Sequence, residues 1–316
     1  MSVSRSPAVE IVVRAEQSGR TVSAVVREAM SLPWTRAKAL CESGRVSVEG
    51  QPAADPGARV LEGMTITVDV NAPRRRAGAL SRDEIVFADR DVVVVEKPAG
   101  VMSVPFEPGD KDTLVDRTRA ALRRTSGGYD PQLGVVQRLD KDTTGLLVFA
   151  RTVAAKKHLQ QQFRAHTIER RYVALAHGLF TRGRTFESEL LRDRGDGLRG
   201  SWGVFRRPLS KAPPADAQHA VTHVRSLERL RGATLVECRL ETGRQHQIRI
   251  HLAEAGHMLV GEPVYVREHR GERLDAPRPM LHAASLGFVH PRTEEPLHFD
   301  SDPPADFLAT LDALRA

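Results

Sequence analysis

Two short apolar runs limit the fold more tightly than anything else in the chain. Val92, Val93, Val94 and Val95 are consecutive β-branched residues, and Leu146, Leu147, Val148, Phe149 and Ala150 form a second unbroken run. Both are far below the roughly 18 apolar residues of a membrane-spanning helix, and nothing else in the chain approaches that length. Runs this short, closed by Lys97-Pro98-Ala99-Gly100 in the first case, read as buried strands. Around them the patterning predicts helices over 114–124 and 153–164. Further strands are predicted over 172–176, 221–227, 234–240 and 247–252. The last alternates, with Gln247, Arg249 and His251 on one face and Ile248, Ile250 and Leu252 on the other. Strands and helices mix without strict βαβ alternation, which favours an α+β domain over a doubly wound one.

A smaller unit precedes this domain. Val22, Val25, Val26, Ala29 and Met30 fall at i, i+3, i+4, i+7 and i+8, the stripe of an amphipathic helix over 20–30 that Pro33 stops. A second short helix over 35–43 turns Ala37, Leu40 and Cys41 inward, with Gly44 as its terminator. Val46 and Val48 alternate, as do Met64, Ile66, Val68 and Val70. The order is helix–helix–strand–strand, with Arg36, Lys38 and Arg45 on or just beyond the exposed face of the second helix. Residues 71–80 combine Pro, Gly and like charges without periodicity and read as a linker. The expected division is therefore 9–70, a linker over 71–80, and 81–316. Residues 192–219 are rich in Gly, Arg and Pro and read as a loop or insertion.

Apolar residues at 41% and charged residues at 28% exclude wholesale disorder. The net charge of +7 is unevenly placed. Residues 117–171 hold twelve Lys/Arg against four Asp/Glu, a net of +8, so the rest of the chain nets −1. A basic field gathered in one segment attracts polyanions. Cys41 and Cys238 form no C-x-x-C pair, and the first residues carry no apolar leader core, which fits a reducing cytoplasm. P-loop, dinucleotide, H-E-x-x-H and G-x-S-x-G patterns are absent, and the histidines are scattered. No metal and no organic cofactor are expected.

Two segments concentrate polar residues beside apolar strands. In the first, Gln137-Arg138-Leu139-Asp140-Lys141-Asp142-Thr143-Thr144 opens straight into the 146–150 run. Arg138 and Asp140 share a face of extended backbone while Leu139 anchors the other, although a capped surface turn fits the same residues. In the second, Glu241-Thr242-Gly243-Arg244-Gln245-His246 precedes the alternating 247–252 stretch, which also fits the solvated face of a half-buried strand.

In this order and about a hundred residues apart, these two segments resemble the signature pair of the RluA family of pseudouridine synthases, which isomerise uridine within RNA. The likeness extends to Glu96-Lys97-Pro98-Ala99-Gly100, to Arg170-Arg171-Tyr172, to the stretch from His257 through Gly261-Glu262 to Tyr265, and to Leu281-His282-Ala283 with His290-Pro291. Residues 35–48 are similar to the small alpha-L RNA-binding module of ribosomal-protein type. The resemblance implies the pseudouridine synthase fold, a mixed and largely antiparallel sheet flanked by helices and loops. It implies Asp140 as the acid that attacks the ribose or stabilises a sugar cation. Arg249 becomes the guanidinium partner able to hold both oxygens of that carboxylate, and Tyr172 the aromatic residue against the uracil. Arg138 would fill the space of a flipped nucleotide. Lys156, Lys157, Arg164, Arg170 and Arg171 would hold phosphates, with Arg36, Lys38 and Arg45 adding contacts from the small module. The implied partner is RNA, ribosomal rather than transfer, acted on by a monomer.

Three positions depart from the family pattern. Gln137 stands where the family has His, Met258 follows Gly256-His257 in place of Pro, and Glu262 follows Gly261 in place of Asp. None is expected to replace a catalytic group. Two other readings compete. A catalytically silent RNA-binding or ribosome-assembly factor would be free to lose Asp140, Tyr172 or Arg249, and all three are present. A glycoside hydrolase would need a second catalytic carboxylate, and no other acid stands in an equally marked motif.

Overall fold

The computed structural model describes residues 8–315 except 43–44, 54–55, 71–79, 81–83, 108, 126–131, 181 and 206–211. The chain divides into two compact units, one up to residue 78 and one from residue 79 onward. The linker expected over 71–80 and the terminator Gly44 lie outside the described residues, except for Leu80, which is buried in the core of the second unit.

The first unit runs β1 (Val9–Val12), α1 (Val22–Ala29), α2 (Trp34–Glu42), β2 (Val46–Val48), β3 (Gln51–Pro52) and β4 (Thr65–Val68). Its antiparallel sheet has the order β1-β4-β2-β3. The stripe Val22, Val25 and Val26 packs with Ala37, Leu40, Cys41, Val46, Ile66 and Val68 into one core. Thr21 caps α1, its hydroxyl accepting the Ala24 amide at 3.3 Å. Arg36 and Lys38 are exposed and Arg45 is half-buried. Sequence reasoning misses β1, because its side chains face mostly outward and show no alternation.

The second unit is built on one large mixed sheet. Its elements are β5 (Ile85–Ala88), β6 (Val92–Lys97), α3 (Leu114–Thr125), β7 (Gly134–Val135), β8 (Thr144–Ala150), α4 (Val153–Arg164), β9 (Glu169–His177), β10 (Arg184–Leu191), β11 (Gly200–Ser201), β12 (Gln218–Arg229), β13 (Ala233–Leu240), α5 (Gln247–Glu254), β14 (Leu281–Val289), β15 (Pro296–Asp300) and α6 (Ala305–Arg315). The path is β11-β10-β12-β13-β9-β14-β8-β6-β5, with β15 on β14 and β7 on β8. Among the described residues β14 and β8 make the single parallel pairing. The two unbroken apolar runs are β6 and β8, neighbouring interior strands toward the β5 edge of this sheet. Val93 and Val95 join the core shared with α3 and α5, while Val92 and Val94 pack against α4 from the other side. Burial on both faces is why neither run alternates.

The 247–252 stretch is not the expected strand but helix α5. The pattern misled because Gln247 through Ala253 are all buried. A helix enclosed on every side has no apolar stripe to betray its period. Its polar residues do not face solvent either. The Gln247 amide group donates to the Val221 carbonyl and Thr222 hydroxyl, and its oxygen accepts from the Thr242 hydroxyl and the Arg244 amide. His251 lies 2.9 Å from both the Thr222 and Ser188 hydroxyls. Within the 192–219 insertion, Gly200–Ser201 pairs with β10, and the Arg194 guanidinium is buried against Asp196 and Glu268.

Candidate active site

Asp140 sits in the turn that delivers the chain to β8, and three side chains from remote segments grip the backbone on either side of it. The Ser103 hydroxyl donates to the Leu139 carbonyl at 2.7 Å and accepts the Leu139 amide at 2.9 Å. The Lys97 ammonium donates to the Lys141 carbonyl at 2.6 Å and to the Pro98 carbonyl at 2.9 Å. Arg278 donates to the Asp142 carbonyl at 3.1 Å while its fork grips Asp306 at 2.7 and 3.0 Å. Burial pushes Lys97 down to about 7, against the pull of Asp142 and Asp140. Behind the turn Gly145 has φ +108°, and a Cβ there would lie 2.3 Å from the Ala283 carbonyl. Only glycine lets β8 approach β14 this closely.

The turn borders a cavity of about 580 Å³, whose lining includes Arg138, Asp140, Tyr172, His246 and Arg249. That volume is within the ordinary range of small-ligand sites. Arg249 reaches it from α5, with Nη1 3.6 Å from Asp140 Oδ2. The guanidinium fork is not on Asp140, however. Nε and Nη2 donate at 2.8 and 2.7 Å to the two carboxylate oxygens of Glu262. Burial alone would raise the Glu262 carboxyl, but Arg249 and the amides of Val264 and Tyr265 hold it below its usual range. On the opposite side of Asp140, His246 Nε2 lies 3.9 Å from Oδ1. His246 occupies the left-handed region at φ 59°, and its Nδ1 is 2.7 Å from the Tyr265 hydroxyl. Burial lowers the His246 imidazole, against the pull of Asp140, and pushes Tyr265 up to about 12. Tyr172, on β9, is buried, and that burial raises its phenol further from ionisation.

The basic residues expected at the site separate into groups. Arg138 lies at the cavity, donating to the Gln245 side chain at 2.7 Å. Arg164, at the end of α4, is exposed, lines the cavity and makes no side-chain ion pair or hydrogen bond among the described residues. Lys157 is exposed and Lys156 half-buried on the same helix. Arg170 shares the Tyr172 face of β9 and also lines the cavity, but is buried, bonded to the Glu241 carbonyl and set over the Phe163 ring. Strand alternation sends Arg171 the other way, to Glu169 at 2.9 Å and Ser285 at 3.3 Å. Sequence reasoning overlooked Ser103 and Arg278, named Glu262 only as a departure from Asp and His246 and Arg244 only within the second polar segment, and saw Lys97 only as part of a turn. For Glu262 a signal existed: a lone acid among Met258, Leu259, Val260, Val264 and Tyr265 has to be paired if it is buried.

Among the described residues, one group outside the cavity has metal-ligand composition, Asp89, Asp91 and His290. Its atoms are already engaged. His290 Nε2 is 2.8 Å from Asp89, Arg292 pairs with Asp91 at 2.6 Å, and the amides of Arg292 and Thr293 donate to His290 Nδ1.

A strand-borne tyrosine, a turn-borne aspartate and a helix-borne arginine at one cavity on a mixed sheet define a class, and comparison with known proteins gives the same class. Residues 91–254 match the RNA pseudouridylate synthase family, and the chain belongs to that family of RNA uridine isomerases. It is 37% identical over 282 residues to the ribosomal large subunit pseudouridine synthase D of Zymomonas mobilis, covering 86% of each chain. With the protein of the same name from Xanthomonas campestris it shares 33% identity, covering 97% of this chain and 92% of the relative. Among solved structures, human RNA pseudouridylate synthase domain containing 4 superposes with a TM-score of 0.57 at 22% identity, covering 74% of this chain and 93% of that one. That likeness speaks to the fold.

Proposed function

We propose that this enzyme converts uridine to pseudouridine in ribosomal large-subunit RNA, in the cytoplasm, with Asp140 as its essential acid. The reaction breaks the bond from ribose C1′ to uracil N1 and forms one to C5. The C5 proton is lost and N1 gains one, so the isomerisation needs no redox partner. Asp140 attacks C1′ or stabilises the sugar cation, Arg249 faces its Oδ2, and Tyr172 forms an apolar wall for the base. The carrying observation is the convergence of Asp140, Tyr172 and Arg249, far apart in sequence, on one cavity. A uridine within folded RNA reaches that cavity by leaving its stack, which costs a few kcal/mol, and Arg138 stands at the mouth to occupy the vacated space. Arg164, Lys156 and Lys157 supply phosphate contacts, and Arg36, Lys38 and Arg45 extend them from the N-terminal unit, read as an alpha-L-type RNA-binding module. Ribosomal RNA is the favoured target because the relatives named above carry it in their names.

The test is pseudouridine mapping across total RNA from cells with and without the protein, complemented by wild-type or Asp140→Asn chain. One or more large-subunit sites should vanish in the deletion and return only with Asp140. Loss of no site would favour a silent assembly factor. Full restoration by Asp140→Asn would remove Asp140 from the chemistry.

A further inference from the structure

We propose that Glu262 is the positioning residue of this active site: it takes the fork of Arg249, so that the guanidinium offers Asp140 a single edge and leaves the acid free to react. This rests on the reading of Asp140 as the reacting acid. An arginine beside a carboxylate ordinarily makes two parallel hydrogen bonds, and those bonds would occupy both oxygens that Asp140 needs. Here Nε and Nη2 are spent on Glu262 at 2.8 and 2.7 Å, and only Nη1 looks toward Asp140, at 3.6 Å. The Glu262 side chain is fully enclosed, and its Oε1 also accepts the Val264 and Tyr265 amides at 2.9 and 3.3 Å. Its place is therefore fixed by the backbone of its own turn as well as by Arg249. The charges follow the same logic. Arg249 is balanced by Glu262, so the trio Asp140, Arg249 and Glu262 keeps a net −1 at the carboxylate that meets a developing sugar cation.

The same turn acts on the second neighbour of Asp140. Tyr265, three residues on, holds His246 through its hydroxyl and lies beneath the Arg249 guanidinium at 5.4 Å. Residues 262–265 thus orient both groups that flank the acid, although none of them lines the cavity. The departure from Asp to Glu at this position lengthens the arm by one methylene without moving it out of reach of Arg249.

The experiment compares Glu262→Gln, Glu262→Asp and Asp140→Asn, using large-subunit ribosomal RNA transcribed in vitro and therefore free of pseudouridine. Binding and single-turnover isomerisation are measured separately, and folding is followed by circular dichroism and melting. Losing the charge of Glu262 frees Arg249 to close both prongs on Asp140. Glu262→Gln should then slow the single-turnover rate about 100-fold or more, the scale of a misplacement of about 1 Å, with RNA affinity within about threefold. Glu262→Asp keeps the charge and should recover most of that loss. A second readout is independent of turnover: a structure of Glu262→Gln should show Arg249 bidentate on Asp140. The proposal is overturned if the Gln variant keeps its rate, if Glu262→Asp is no better than Glu262→Gln, or if rate and affinity fall together. An active Asp140→Asn would instead sink the reading of Asp140. An inactive Asp140→Asn beside an unimpaired Glu262→Gln would sink only the role of Glu262.

Discussion

Replacing Ser103 by alanine tests whether the catalytic turn is held by its backbone. The Ser103 hydroxyl is the partner of both the amide and the carbonyl of Leu139, and both residues are buried. Alanine removes one oxygen, too little space for a water to take over both bonds. Each orphaned polar group costs about 1–3 kcal/mol, so a turn that stays in place, with two such groups, loses roughly 2–6 kcal/mol. For a unit of this size, each kcal/mol shifts the melting temperature by about 2–4 °C, giving a fall of about 4–24 °C. The alternative is for the turn to move until Leu139 finds other partners. Asp140 is the next residue, and a shift of about 1 Å costs on the order of 100-fold in rate. The cost therefore appears in stability, in turnover or in both. The assay pairs a melting curve with release of tritium from RNA labelled at uridine C5, which reports loss of that proton directly. A Ser103→Ala protein that melts within about 1 °C of wild type and turns over within about twofold would refute the claim that these bonds position the acid.

Two further outcomes are expected. His251 is pushed down to about 4 by burial, so the unfolded chain binds the extra proton first as pH falls. The stability that neutral His251 contributes is complete above its unfolded value of about 6.5 and is lost as pH falls toward 4, amounting to about 2 kcal/mol between pH 7 and 5. Denaturant titrations of wild type and His251→Gln across that window should differ in slope, and parallel curves would contradict the assignment. Arg164→Ala should weaken RNA binding alike at all sequences and reduce the slope of log K against log salt by about 1. Arg171→Ala, on the other face of β9, should leave that slope unchanged.

What was legible in the sequence divides by the kind of contact involved. β6 and β8 could be read because burial on both faces leaves an unbroken apolar run, and α1 because one face is buried and the other wet. α5 defeated the reading because every face is buried, so its polar residues mimic a strand's alternation while satisfying hydrogen bonds inside the core. Asp140, Tyr172 and Arg249 were reached through resemblance of motifs. The charge pattern showed only a basic segment, and it joined Arg170 with Arg171, which strand geometry separates. The pairing of Arg249 with Glu262 was missed because the resemblance gave roles to Asp140, Tyr172 and Arg249 and marked Glu262 only as a departure without a role.

The clamps on the catalytic turn were illegible for a deeper reason. Ser103, Lys97 and Arg278 all act on backbone carbonyls, and a carbonyl is the same at every residue, so such a contact leaves no complementary pattern at the other end. They span 36, 44 and 136 positions of the chain. The Lys97 clamp becomes available when β6 and β8 have paired, and the Arg278 clamp only when the chain after α5 has returned to the sheet. The acid is therefore placed by the completed unit and not by its own motif. A segment carrying the Arg138–Asp140 signature alone would have the reacting group without the geometry, and removing the chain from Arg278 onward would release Asp142 while leaving every residue of the signature intact.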